Sequence, residues 1–266
     1  MPIVRTVAEP RYPKNNAVNR YLHERKTAGL IYTTRSSFKR YQERFQLDHI
    51  RQGTILPGFR ADEFANGVEP LDLRKQLGLD AEVIIFGIVA RMSPEKGQEV
   101  LIEALTLLDD KTRARCHFVL TGDDCRERGA DDLRTLAKQN GVDKYLTFQQ
   151  RYQDIRPLIA GLDVGLITSV RSEAVCRIAL EYMSFTKPII SSDVNILPEV
   201  VRDGENGWIF PNRNAKALAK CIQAAVEDKA LRDRRGKRGY ELVHQDFSME
   251  QYSEQTVQFY NSVLSS

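Results

Sequence analysis

Two carboxylates eight positions apart, Glu173 and Glu181, and two loop cations, Arg91 and Lys96, are the side chains here whose types and spacing suit a phosphorylated ligand. Arg91 and Lys96 lie in ARMSPEKGQEVLIEAL, between a strand expected to end near Val89 and a helix expected to begin near Gly97. Cations at the carboxyl edge of a sheet, beside a helix N-terminus with its partial positive charge, suit a diphosphate. Glu173 and Glu181 belong to TSVRSEAVCRIALEYMSFTKPIISSD, which leaves the strand VGLIT and is expected to become helical near Ala174 to Cys176. Eight helical residues rise about 12 Å, close to the span from the sugar of a nucleotide sugar, across its diphosphate, to the ribose. Between the carboxylates, the unpaired amides of Ala174, Val175 and Cys176 are placed to bond donor hydroxyls or phosphate oxygens.

A plainer assignment leaves Arg91 and Lys96 as exposed loop cations, Glu173 as a favourable charge on a helix dipole and Glu181 as a surface residue. The neighbours of Glu181 weigh against the last of these. Ile178, Ala179, Leu180, Tyr182 and Met183 surround it, and a carboxylate on a largely buried helix is costly unless something hydrogen-bonds it. A ribose diol would do so.

The elements that must carry these residues follow a βαβ rhythm. From Val83 onward, short apolar runs (VIIFGIV, CHFVLT, LTF, VGLITS, KPIISS, WIF) alternate with amphipathic segments, as in a doubly wound parallel sheet of the Rossmann-like α/β class. Asn214 and Ser248 are expected to cap late helices, the last running from Met249 towards Leu264. Residues 1–68 show a shorter version of the rhythm with three strands, a partial second Rossmann-like domain too thin to stand alone, and Pro57 to Pro70 reads as the linker out of it. The expected organisation is therefore a partial domain over 1–68, a full one over 69–248, and a last helical segment over 249–266.

Composition narrows the classes. The longest apolar run, Val83 to Ala90, is far short of a bilayer crossing, and the start of the chain has no apolar region like that of a secretory signal. Cys116, Cys125, Cys176 and Cys221 form no C-x-x-C pair, so neither a zinc site nor a disulfide framework is expected and the cytoplasm is the expected compartment. Net charge is +3, yet residues 1–60 hold twelve Lys/Arg against four Asp/Glu. That asymmetry suits either an anionic partner, such as an acidic lipid headgroup or a phosphorylated acceptor, or simply solvated helix faces. Nucleic acid is not expected, because aromatics for base stacking are sparse and irregular. A nicotinamide-dependent dehydrogenase is also disfavoured, since no G-x-G-x-x-G follows a strand.

Arg91 to Leu105, Phe118 to Asp123 and Asp163 to Phe210 resemble the C-terminal domain of family 4 glycosyltransferases, with Glu173 and Glu181 standing as its E-x7-E motif. The likeness includes Thr121-Gly122-Asp123, Lys187-Pro188-Ile189-Ile190, Pro198-Glu199 and Asp203-Gly204-Glu205-Asn206-Gly207. The resemblance implies a GT-B architecture, no metal or other cofactor, and retention of anomeric configuration. The implied substrates are a nucleoside-diphosphate sugar and a cell-surface glycan or lipid-linked acceptor, and the basic early segment adds the expectation of peripheral contact at the anionic inner face of a membrane. The resemblance also implies roles: Arg91 and Lys96 for the diphosphate, Glu173 for the donor sugar, Glu181 for the ribose, and Gly122 at a strand end near the donor. Departures are Ala174 and Cys176, where the family usually has Gly and a small residue, and Val7, Ala8 and Glu9, where a His often follows the strand. His23, His49, His117 and His244 are accordingly expected to be structural or exposed. The early strands of the family's N-terminal domain have no counterpart, which keeps open a non-catalytic nucleotide-sugar-binding module that needs a partner chain.

Overall fold

The computed structural model describes residues 2–9, 11–171 and 176–265. Among them, the first three strands, β1 (Val4–Val7), β2 (Gly29–Tyr32) and β3 (Arg51–Thr54), form a parallel sheet in the order β1-β2-β3, with Val4 opposite Gly29 and Gly29 opposite Arg51. Helix α1 (Ala17–Arg20), continued by a π-helical stretch over Tyr21–Arg25, joins the first pair, and α2 (Arg35–Gln42) joins the second. Short helices α3 (Ala61–Ala65) and α4 (Leu73–Leu77) lead into the larger unit.

That unit runs β4 (Ile84–Val89), α5 (Gln98–Thr106), α6 (Asp110–Ala114), β5 (Cys116–Thr121), α7 (Ala130–Gln139), β6 (Leu146–Gln149), α8 (Arg156–Gly161) and β7 (Val164–Ile167). It continues through α9 (Arg177–Ser184), β8 (Ile189–Ser192), α10 (Leu197–Val200), β9 (Gly207–Phe210), α11 (Ala215–Glu227), α12 (Lys229–Gln245) and α13 (Met249–Leu264). The strands β4 to β9 pair in parallel in the order β6-β5-β4-β7-β8-β9. Chain order reverses between β4 and β7, and in such a sheet the crevice outside the carboxyl ends at that reversal is where ligands bind.

Alternation along β4 builds both cores. Ile84, Phe86 and Ile88 face α5, α7 and α11, where Phe86 stacks on Phe118 at 4.8 Å. Ile85 faces the opposite layer of α8, α9 and α12, with Ile159, Met183 and Val243 fully buried. Burial on both faces is why these strands read as continuous apolar runs. Asn214 and Ser248 cap α11 and α13 as expected, accepting from the amides of Ala217 and Gln251.

The first sheet has a small core of its own, centred on Leu30, Tyr32 and Leu47, and its other face is closed by α13. The positions of Gly29 and Gly53 leave room for Phe259 and Val263, since a Cβ at Gly29 would lie 2.8 Å from the Val263 side chain. Pro57 to Pro70, which its Gly, Pro and polar content marks as the linker, packs onto the larger unit. Ala61 is buried in the larger unit's core, the Phe64 ring lies 5.8 Å from that of Phe185, and the Phe59 amide donates to the Phe247 carbonyl at 2.7 Å. Apolar residues on the short helix α3 hold the segment against α9.

Candidate functional site

The crevice exists because β4 and β7 pair only at Phe86–Val164 and Gly87–Gly165, then part. Tyr182 of α9 serves the opened ladder. Its hydroxyl donates to the Gly87 carbonyl at 2.8 Å and accepts from the Val89 amide at 3.2 Å. The ring fits because position 165 has no side chain: a Cβ there would lie 2.3 Å from a ring carbon. Burial, the dominant influence, raises the Tyr182 pKa, so the hydroxyl keeps its proton.

Beyond the parting, Ile88, Val89 and Ala90 on one side and Leu166, Ile167, Thr168 and Ser169 on the other line a cavity of about 200 Å³, completed by Lys96, Cys176, Arg177 and Ile178. The two loops over it are joined. The Thr168 hydroxyl donates to the Lys96 carbonyl at 2.7 Å, and the Val170 amide donates to the Glu95 carbonyl at 2.8 Å. Gly97 makes this approach feasible, because its φ is +64° and a Cβ would stand 2.3 Å from the Thr168 carbonyl oxygen.

Val89 and Arg177 also border a second, wider cleft of about 850 Å³, which holds Gly122 and Glu181. Its walls include Phe59 and Phe64 before the larger sheet, Tyr152 and Ile155 after β6, and Met249 of α13. Four arginines line it, each paired with a carboxylate: Arg60 with Glu63, Arg151 with Asp123, Arg156 with Asp154 and Arg177 with Glu181. Glu181 is only 8% exposed. Burial raises its pKa above the usual carboxylate value, partly opposed by Arg177, whose Nε donates to Oε1 at 2.8 Å.

The singled-out residues fall in three places. Lys96 and Cys176 meet at the smaller cavity, whereas Gly122 and Glu181 meet at the larger. Gly122 is pressed against β4, where a Cβ would lie 2.1 Å from the Ala90 carbonyl oxygen. Arg91 is exposed and lines neither cavity; its carbonyl accepts from the buried Gln98 side chain at 2.9 Å. Glu173, Ala174 and Val175 lie outside the described residues.

Helix α9 begins later than expected. Cys176 is its N-cap, with ψ of 70°, so Cys176 is not a helical donor and the first-turn amides belong to Arg177 and Ile178. The helical rise between Glu173 and Glu181 therefore applies only from Arg177 onward. Sequence reasoning also passed over Thr168, Arg177 and Tyr182. Arg177 was detectable as the i,i+4 neighbour of Glu181, whereas the fit of Tyr182 to Gly165 leaves no local signal.

The histidines are structural or peripheral. His23 is buried against Tyr41 and Phe45, and burial lowers its pKa to about 4. His117 bonds Thr147, His49 bonds the Glu24 carbonyl, and His244 bonds Asp62 at 2.9 Å. Among the described residues no group of three or more His, Cys, Asp or Glu is placed to hold a metal ion, and no helix is long and apolar enough to cross a membrane.

Comparison with known proteins shows the family and the fold. The chain is 25% identical over 228 residues to an alpha-D-kanosaminyltransferase of Streptomyces kanamyceticus, covering 81% of this chain and 58% of the relative. It is 31% identical over 177 residues to the lipopolysaccharide core biosynthesis glycosyltransferase LpsE of Rhizobium meliloti, covering 66% and 49% respectively. The chain thus spans about half the length of the curated relatives it matches. The fold is shared with a crystal structure of Anabaena HepE in complex with UDP, at a TM-score of 0.86 and 23% identity over 98% of this chain and 72% of that one. Residues 71–242, more than half of the chain, match the family described as glycosyl transferases group 1, and the chain belongs to that family.

Proposed function

We propose that this chain binds a nucleoside-diphosphate sugar and serves, in the protein it represents, to transfer the sugar with retention of configuration to a cell-surface glycan or lipid-linked acceptor. The observation that carries the reading is the pair of adjoining cavities at the chain reversal of the sheet, one with a cation and a helix start, the other with a buried carboxylate. The diphosphate takes the smaller cavity, where Lys96 and the first amides of α9 face it. The ribose takes the cleft beside Glu181. Gly122 borders the same cleft as Glu181 and Cys176 borders the diphosphate cavity, while Glu173, Ala174 and Val175 are assigned to the sugar end.

Chemistry follows from charge. As the bond from the sugar to the diphosphate breaks, negative charge grows on the departing oxygen, and a fixed cation with aligned N–H dipoles stabilises that state more than the ground state. Lys96 is the principal cation in this reading. Arg91, exposed and outside both cavities, adds a more distant charge that solvent screens. A metal is not required for this neutralisation, and none is invoked.

The solved relative bound to UDP and the lipopolysaccharide relative support the substrate classes. The basic first sixty residues support peripheral contact with an anionic inner membrane face, because exposed Tyr12, Val18 and Tyr21 lie among Lys14, Arg20, Arg25 and Lys26. Co-sedimentation with anionic liposomes that weakens as salt rises is the expected result; absent or salt-independent binding would count against it. Calorimetric titration with UDP, GDP, ADP and dTDP sugars tests the main reading. One of them should bind, and Glu181→Ala and Lys96→Ala should each weaken it at least about tenfold, as loss of a charge-assisted contact does. Tight binding without donor hydrolysis or transfer would instead identify a non-catalytic donor-binding module.

A further inference from the structure

Pro198-Glu199 has no part in the donor cavities, yet its carboxylate makes a long-range polar contact. Glu199 sits on α10, after the carboxyl end of β8, in the larger unit. Its Oε2 accepts from the Arg35 amide at 2.7 Å, and its Oε1 accepts from the Ser36 amide at 3.0 Å. Those are the first two amides of α2, which follows the carboxyl end of β2 in the first sheet. The third amide, of Ser37, is served locally by the Thr34 hydroxyl at 2.8 Å. A carboxylate from one sheet's unit thus completes the cap of a helix belonging to the other, where the helix dipole favours negative charge.

We propose that Glu199 is a positioning residue: a clasp that holds the carboxyl edge of the first sheet against the donor-bearing edge of the second. The inference rests on the donor-site reading for its purpose but not for its geometry. Other ties join the units among the described residues, including the packing of Phe259 and Val263 on the first sheet and, in the connecting segment, the backbone bond from Phe59 to Phe247 and the His244–Asp62 pair. The first is apolar, and the others lie where the chain itself passes between the units. Glu199 is different in kind. It is partly exposed, it depends on charge, and it acts directly between the two carboxyl edges. Glu199 lines neither cavity, so removing its side chain takes no group from the smaller one.

The test uses the whole chain with Glu199→Ala and Glu199→Gln. Hydrogen exchange at the Arg35 and Ser36 amides should quicken at least about tenfold in Glu199→Ala and by less in Glu199→Gln, which keeps an acceptor oxygen but loses the charge. Small-angle scattering should show a larger radius of gyration. Affinity for UDP, or whichever nucleotide diphosphate binds the wild type, should stay within about twofold, while any turnover falls through kcat. Faster exchange with unchanged scattering and turnover would reduce Glu199 to a local helix cap and overturn the proposal, as would a loss of nucleotide affinity equal to that of Lys96→Ala. Failure of the wild type to bind any nucleotide would sink the donor-site reading, and exchange with scattering would still decide the clasp.

Discussion

The two parallel sheets are built from the same strand–helix–strand unit and hold together by different means. The six-stranded sheet buries both faces under its own helices, with Phe86, Phe118, Leu101 and Ile159 fully enclosed. The three-stranded sheet has one modest cluster and takes the rest of its cover from α13, at the far end of the chain. Site precision follows the difference. The two cavities lie mainly on the self-sufficient sheet, whose loops are joined by Thr168 and Val170, whereas the smaller sheet is held in place by contacts that can be removed singly.

Substitutions should separate the two units. Phe86→Ala, which empties a stacked aromatic site, should cost about 3–5 kcal/mol and abolish nucleotide binding along with the cooperative melt. Phe259→Ala should act on the other side, costing about 2–3 kcal/mol because the ring is only partly buried. Hydrogen exchange should then rise through β2 and β3 while β4 and β5 stay protected. A uniform rise over both sheets would show that they unfold as one and break the comparison.

Smaller effects come from ionisation. Glu181 has a folded pKa above its unfolded one, so the folded state binds the proton more tightly and stability falls as pH rises from the unfolded pKa through the folded one. Glu181→Gln should therefore raise Tm at neutral pH, with the gain vanishing towards about pH 4, while weakening nucleotide binding. A Tm lowered at neutral pH would mean that the Arg177 pair outweighs desolvation. His244 is the smallest case. Burial lowers its pKa, but the Tyr240 carbonyl and Asp62 more than offset this and leave it raised. Its contribution is full below its ordinary value of 6.5 and is lost as pH rises through the folded pKa. His244→Gln should thus lower Tm at about pH 5.5 and leave it nearly unchanged at about pH 9.

Much of the larger sheet was legible in the chain, because two-sided burial demands uninterrupted apolar strands such as Ile84–Val89 and Cys116–Thr121. The caps Asn214 and Ser248 were legible for a local reason, a side-chain oxygen three residues before the amide it serves. What escaped was non-local. Nothing around Pro57 to Pro70 reveals that Phe59 will bond Phe247, and nothing near Glu199 points to Arg35. The start of α9 escaped for the opposite reason: Ala-Val-Cys-Arg suits a helix, yet Cys176 caps one instead. Lys96 stood out as a cation between a strand and a helix, and it lines the smaller cavity. Arg91 satisfied the same rule but lies outside both cavities.

The central claim is that the cavities at the parting of β4 and β7 hold a nucleotide diphosphate sugar. Its most direct measurement is calorimetric titration of the wild type, Lys96→Ala and Glu181→Ala with the panel of four nucleotide sugars. Saturable binding of one donor, weakened at least about tenfold by each substitution, is the predicted result. Binding that survives both substitutions, or no binding by the folded wild type, would contradict it.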